Sequence, residues 1–180
     1  MNFQKAFDDV QKVVEERYGV PVGVVQMQHG FSGDLNGLAI FINEAVGWKQ
    51  RLFNLSHLFG HTVQWAVRED GYFLGHKLFD KPDDELLERL IEYEKEAARY
   101  SAALLLEANN EEFLPWLSKY SDADIRFLEH YYRTGEKKSL REFRRKHVAD
   151  ISPLQIPPFE RRQKALRGHG IVLLARGPQR

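Results

Sequence analysis

His57 and His61 stand four residues apart in LSHLFGHTVQW (55–65), a stretch whose pattern is otherwise helical. Residues four apart on a helix lie on one face, so both imidazoles can reach a single ion. The chemistry this offers is that of a divalent metal, zinc above all, which polarises a bound water. The spacing alone is weak. Many helices carry H-x-x-x-H by chance, and two polar residues on a half-exposed face would look the same.

The segment 85–107 sharpens the case. Glu85, Glu88, Arg89, Glu92, Lys95, Glu96 and Arg99 fall on one side of a helix there. The other side is Leu86, Leu87, Leu90, Ile91, Ala97, Ala98, Ser101, Ala102, Leu104 and Leu105. One acid, Glu94, breaks into that apolar side. A carboxylate facing a core is costly unless paired or bound to a metal. The small residues at 97, 98 and 101 let another helix approach closely. If that helix carries His57 and His61, Glu94 completes a His₂Glu set with an open fourth position. The competing assignment pairs Glu94 with a buried Arg, a Tyr hydroxyl or a backbone amide.

These residues need helices to hold them and a scaffold to hold the helices. Phe3, Phe7, Val10, Val13 and Val14 recur at helical spacing over residues 2–18, and Gly19 with Pro21 ends that helix. VGVVQMQ (22–28) and LAIFIN (38–43) read as strands, and HGFSGDLNG (29–37) as the turn chemistry joining them in a hairpin or meander. The histidine helix spans 48–67. Residues 69–84 read as a loop, with Asp83 or Asp84 capping the helix that follows. Shorter helices continue from Asn109, KKSLREFRRKH (137–147) looks helical, and GIVLLARG (170–177) reads as a late strand. The expected fold is α+β, a small mixed or antiparallel sheet packed on helices. A domain over 1–130 carries the histidine helix, and a basic, helical C-terminal extension covers 131–180.

The 180 residues suffice for a domain with a real core, and 43% hydrophobic with 29% charged is ordinary for a globular chain. No apolar run approaches the ~20 residues that span a bilayer. The first residues carry acids throughout and lack an apolar signal core, so a cytoplasmic location is expected. There is no cysteine, which excludes disulfides and thiolate metal sites and leaves His and carboxylates as the strong ligands. Net charge is zero but segregated. Residues 1–130 hold 13 Lys+Arg against 22 Asp+Glu, and residues 131–180 hold 13 against 4. Either the basic end binds nucleic acid or an acidic partner, or it folds back onto the acidic body.

LNGLAIFINEAVGWKQRLFNLSHLFGH followed by EKEAARYSAALLL resembles the ImmA/IrrE family of zinc metallopeptidases over about residues 15–107. That family shows a strand ending in Asn, a short loop, a helix leading into H-E-x-G-H, and a later E-x-x-A-N-x-F helix. The resemblance implies a zincin-like active-site helix, with His57, His61 and Glu94 as zinc ligands. Gly60 matches the Gly before the second His, and Tyr100 the aromatic of the later motif. It also implies a DNA-binding repressor or similar regulator as protein partner, in phage, mobile-element or stress circuits.

Two positions depart from the pattern. Ala98 stands where Asn is common, and Leu58 stands where the family carries its catalytic Glu. In an H-E-x-x-H peptidase that Glu takes a proton from the metal-polarised water and passes it to the leaving amine. Leucine does neither, while the ligands are untouched. The expected function is therefore a degenerate, zinc-binding, metallopeptidase-like protein with impaired catalysis and a regulatory, protein-binding role. One alternative is an active metallopeptidase with a displaced base, His76 in GYFLGHKLF being the nearby candidate. Another is a nucleic-acid-associated regulator. SDADIRFLEHYYRTGEKKSLREFRRKH (121–147) is compatible with helix, turn and basic helix, in which Lys137, Lys138, Arg141, Arg144 and Arg145 would meet phosphates. A helical hairpin with a solvated basic face fits the same residues. His29 and His130 have no partner pattern.

Overall fold

The computed structural model describes residues 1–76, 79–165 and, for the backbone, 171–174. Helix α1 (Phe3–Glu16) opens on Asn2, whose side chain accepts from the Lys5 amide. Its apolar stripe of Ala6, Phe7, Val10 and Val14 is buried, as helical periodicity requires. Three short strands follow: β1 (Val22–Val25), β2 (Phe31–Leu35) and β3 (Ile40–Asn43). Then come α2 (Trp48–Val67), a short α3 (Gly71–Gly75), α4 (Asp84–Glu107) and α5 (Leu114–Thr134), which a 3-10 turn at Glu111–Phe113 leads into. A 3-10 turn at Leu140–Phe143 precedes β4 (Ile171–Leu174). The protein is α+β, with a small mixed sheet packed against helices.

The sheet order is β1-β3-β2-β4, and this corrects the hairpin expected from 22–28 and 38–43. β1 and β3 lie side by side but parallel, Val22 opposite Ile40 and Val25 opposite Asn43. The segment 29–37, expected to be all turn, contains β2, which pairs antiparallel with β3 on one side and β4 on the other. The turn signals were real at its two ends, where Gly30 and Gly37 take φ of +96° and +84°. Between them, Ser32 and Gly33 are poor strand formers. The strand is imposed by its two neighbours and by α2, whose Asn54 Nδ2 donates to the Ser32 carbonyl at 2.8 Å. Asn43 ties the sheet together from the other side, its Nδ2 donating to the Phe31 carbonyl at 2.6 Å.

α2 occupies the residues its pattern predicts, and every residue from Leu52 to Trp65 is buried. It packs on α4 through small residues. A Cβ added to Gly60 would lie 2.4 Å from the Ala97 carbonyl oxygen, so no side chain fits there. Ser101 Oγ, one turn further, donates to the Ser56 carbonyl at 2.9 Å. Gly60→Ala is therefore expected to cost about 1–3 kcal/mol of folding stability, the usual penalty of overpacking. That cost holds although alanine is the better helix former by about 1 kcal/mol. A urea unfolding midpoint no lower than that of the parent chain would show that the helices do not touch here.

Two further expectations are corrected. The 69–84 loop holds α3, packed against α2 and α4. The helix expected over 137–147 is replaced by one 3-10 turn, Leu140–Phe143, closed by a capping box between Ser139 and Glu142. Gly135, in the left-handed region at φ 72°, ends α5. Six basic side chains over eleven residues leave only Leu140 and Phe143 to bury, too few for an amphipathic stripe. Leu140 is buried, and Phe143 packs edge-on against Phe127 of α5. Beyond it the chain lies along the body: Ile151 N–H donates to Ser118 Oγ (2.9 Å), Arg99 Nε donates to the Ser152 carbonyl (3.0 Å), and Phe159 stacks on Tyr18. The late strand is present as β4. Gly170 and residues 175–177 of that expected strand lie outside the described residues.

Candidate metal centre

A fully buried helix must account for each of its polar side chains. On α2, Asn54 donates to β2, while Ser56 and Thr62 hydroxyls donate back to the carbonyls of Leu52 and Leu58. His57 and His61, 5% and 0% exposed, turn toward each other and toward α4. Their Nε2 atoms are 3.0 Å apart. Glu94 of α4 brings its Oε2 to 3.3 Å from His57 Nε2 and 3.5 Å from His61 Nε2. The Gly60–Ala97 contact produces this convergence. Gly60 lies between the two histidines on α2, and Glu94 is one turn before Ala97 on α4.

Among the described residues, His57, His61 and Glu94 form a group positioned to hold a metal ion, with ligand atoms all within 4.8 Å of one another. The donor set fits. A tetrahedral ion with bonds of about 2.0–2.1 Å to nitrogen and oxygen keeps its ligands roughly 3.3 Å apart. The three separations in this triangle, 3.0, 3.3 and 3.5 Å, bracket that value.

The walls are aromatic. Phe53, one turn before His57, stacks on it at 5.3 Å, and Tyr120 of α5 lies against Phe53 at 4.0 Å. Tyr93 stacks on His61 at 4.8 Å, its hydroxyl accepting from Trp65 Nε1 at 3.0 Å. Burial, and then the negative charge of Glu94, raise the Tyr93 hydroxyl well above the ordinary tyrosine range. The same two causes, in that order, raise Tyr132 of α5. Both phenols thus stay neutral beside the carboxylate.

Leu58 faces elsewhere. It is fully buried, and its Cδ1 lies 3.1 Å from where a Cβ on Gly33 would sit, so it packs onto β2. His76 is not brought into the cluster. It ends α3, with Nδ1 2.9 Å from the Tyr72 carbonyl and its ring stacked on Tyr72. Ala98 and Tyr100 are buried on α4 at 3% and 5% exposure.

The helix-turn-helix with which 121–147 is compatible is not formed, because α5 is followed by a 3-10 turn and not by a second helix. Lys137, Lys138, Arg141, Arg144 and Arg145 are largely exposed along that turn. Arg145 pairs with Asp122 of α5 at 2.9 Å, and Arg133 with Asp84 at 3.1 Å, so part of the basic charge is spent on the acidic body. No helix of the described residues is long and apolar enough to cross a membrane.

Gln64 has no place in the residue pattern that selects the ligands, yet it touches one of them. Its Oε1 lies 2.8 Å from His61 Nδ1. The signal was available: Gln64 follows His61 by three and His57 by seven, on the same helical face. Glu96, assigned by periodicity to the solvent side, is half-buried and joins this arrangement through Gln64 and Arg68. Compared with protein-family models, with curated proteins and with solved structures, the chain finds no match in any of the three.

Proposed function

We propose that this chain is a degenerate ImmA/IrrE-type metallopeptidase-like protein. It holds zinc through His57, His61 and Glu94 and acts by binding a regulatory protein rather than by cutting it. The observation that carries the zinc reading is the triangle of two imidazole nitrogens and one carboxylate oxygen, with sides of 3.0–3.5 Å in a buried setting. Nitrogen-rich, three-ligand sites favour zinc over magnesium or calcium, which take oxygen ligands. When bound, the ion would supply Lewis acidity toward a water or a carbonyl.

The loss of catalysis rests on Leu58. A general base must stand within hydrogen-bond reach of the water it activates, and the residue beside His57 is an alkyl side chain turned into the core against Gly33. His76, the alternative base, is engaged at the end of α3. The protein can therefore hold a metal without turning over a polypeptide.

Metal analysis of the purified chain tests the first half. About one zinc per chain is expected, falling to background in His61→Ala. Equal zinc in both proteins would refute the ligand set. For the second half, the zinc-loaded chain should leave a denatured-protein substrate intact over hours. Cleavage that a chelator abolishes would refute the non-catalytic reading.

A further inference from the structure

Gln64 is fully buried and has both hydrogens of its amide committed. Nε2 donates to the Tyr93 carbonyl at 2.7 Å and to Glu96 Oε2 at 2.7 Å. Glu96 Oε2 also accepts from Arg68 Nη1 at 2.7 Å, and Arg68 is held in turn by Asp70 through Nε at 2.9 Å. Both partners of the Gln64 amide nitrogen are acceptors only. Turning the amide over would set its oxygen 2.7 Å from a carbonyl and a carboxylate, two repulsions in place of two bonds. The orientation is therefore determined by the chain of charges outside it.

The consequence falls on His61. With Oε1 of Gln64 facing its Nδ1 at 2.8 Å, that nitrogen must carry the hydrogen and donate. In the neutral imidazole the hydrogen is then absent from Nε2, the nitrogen that faces His57 Nε2 and Glu94 Oε2. This is the tautomer that binds a metal through Nε2, and a second partner on the opposite nitrogen commonly sets it. The ring is held face-on by Tyr93, whose own carbonyl is one of the two anchors of Gln64. One residue of α4 thus controls both the tilt of the imidazole and, through Gln64, its proton.

We propose that Gln64 is the positioning residue of this centre: oriented by Glu96 and the Tyr93 carbonyl, it fixes His61 as the Nδ1–H tautomer and so presents Nε2 as a ready ligand. The assignment of Nε2 as a zinc ligand rests on the reading above, whereas the tautomer does not.

The test begins on the metal-free full-length chain, labelled with ¹⁵N, in which long-range proton–nitrogen correlation spectra distinguish the two tautomers of His61. Wild type is expected to show Nδ1 protonated and Nε2 bare. A protonated Nε2, or a rapidly exchanging mixture, would overturn the proposal without any variant. Zinc affinity is then measured by competition with a chelator. Gln64→Met, close in volume, should mix the tautomers and weaken zinc binding about 10–100-fold. Unchanged affinity in a folded Gln64→Met chain would overturn the positioning role. A clean Nδ1–H signal in a wild type that takes up no zinc would sustain the Gln64 assignment and remove the zinc reading, so the two fail separately.

Discussion

Leu58→Glu is expected to cost about 3–5 kcal/mol of folding stability and to restore no peptidase activity. In sequence it rebuilds H-E-x-x-H at 57–61, and if only the base were missing it should switch the chemistry on. The structure argues otherwise. Leu58 is 0% exposed, and successive helical residues turn by about 100°. While His57 and His61 face Glu94, Leu58 faces β2 and touches the position beside Gly33. A glutamate there loses the packing of a buried leucine and sets a carboxylate against a sheet. Leu58→Met, which conserves volume, should cost less than about 1.5 kcal/mol and serves as the control. Urea unfolding of the two variants measures the difference. A Leu58→Glu chain of parental stability that cleaves protein in the presence of zinc would show that this side chain can reach the metal side, and the pseudoenzyme reading would fall.

The same residue shows what the sequence made legible and what it did not. Helical spacing placed His57 and His61 on one face, and the apolar face of 85–107 isolated Glu94. The structure joins those three side chains because both inferences rest on local geometry, which a 3.6-residue period encodes well. The approach of α2 to α4 was also foreshadowed, by small residues at 97, 98 and 101. Which way Leu58 points was not. That depends on β2, and β2 lies in a segment whose Gly30, Gly33 and Gly37 read as turn. Its strand is made by pairing with β3 across the short turn at 36–39 and with β4 far along the chain, and its own residues are poor strand formers. Gln64 goes unmarked in the sequence, and Glu96 reads there as solvated, for a related reason. Each is an ordinary polar residue until the other helix supplies its partner, and a carboxylate on the rim of a helix resembles any solvated one.

The basic end went the other way, since its pattern promised more order than the chain delivers. Lys137 to Lys146 read as a helix by composition, because Lys, Arg and Glu are good helix formers. Propensity stabilises a short segment only weakly without an apolar face to bury. Leu140 and Phe143 supply one turn of such a face, and one turn is what forms. The charges then reach back to Asp122 and Asp84, which answers part of the asymmetry between the halves.

Zinc should raise the melting temperature of this chain, and Glu94→Ala should abolish the rise. An ion bound only to the folded state stabilises it by about 2.7 kcal/mol at a hundred times its dissociation constant. For a chain of this size that corresponds to roughly 5–10 °C. The three donors already stand near tetrahedral spacing, so little of the binding energy goes into rearranging α2 against α4. Removing Glu94 leaves two imidazoles, a much weaker site, and also takes away the carboxylate partner 3.3 Å from His57. The metal-free melting point of Glu94→Ala should therefore fall with the lost pair, and its response to zinc should vanish. Lower pH should shrink the parental shift, because protons compete with the ion for the same imidazole nitrogens. Magnesium at equal concentration should produce no shift, since it needs oxygen ligands and keeps its own water. A thermal scan with zinc, with magnesium and with a chelator separates these outcomes. An equal zinc response in parent and Glu94→Ala would place the ion elsewhere on the protein. A response to neither ion in the parent would leave His57, His61 and Glu94 as a hydrogen-bonded clamp between two helices, its role structural from the start.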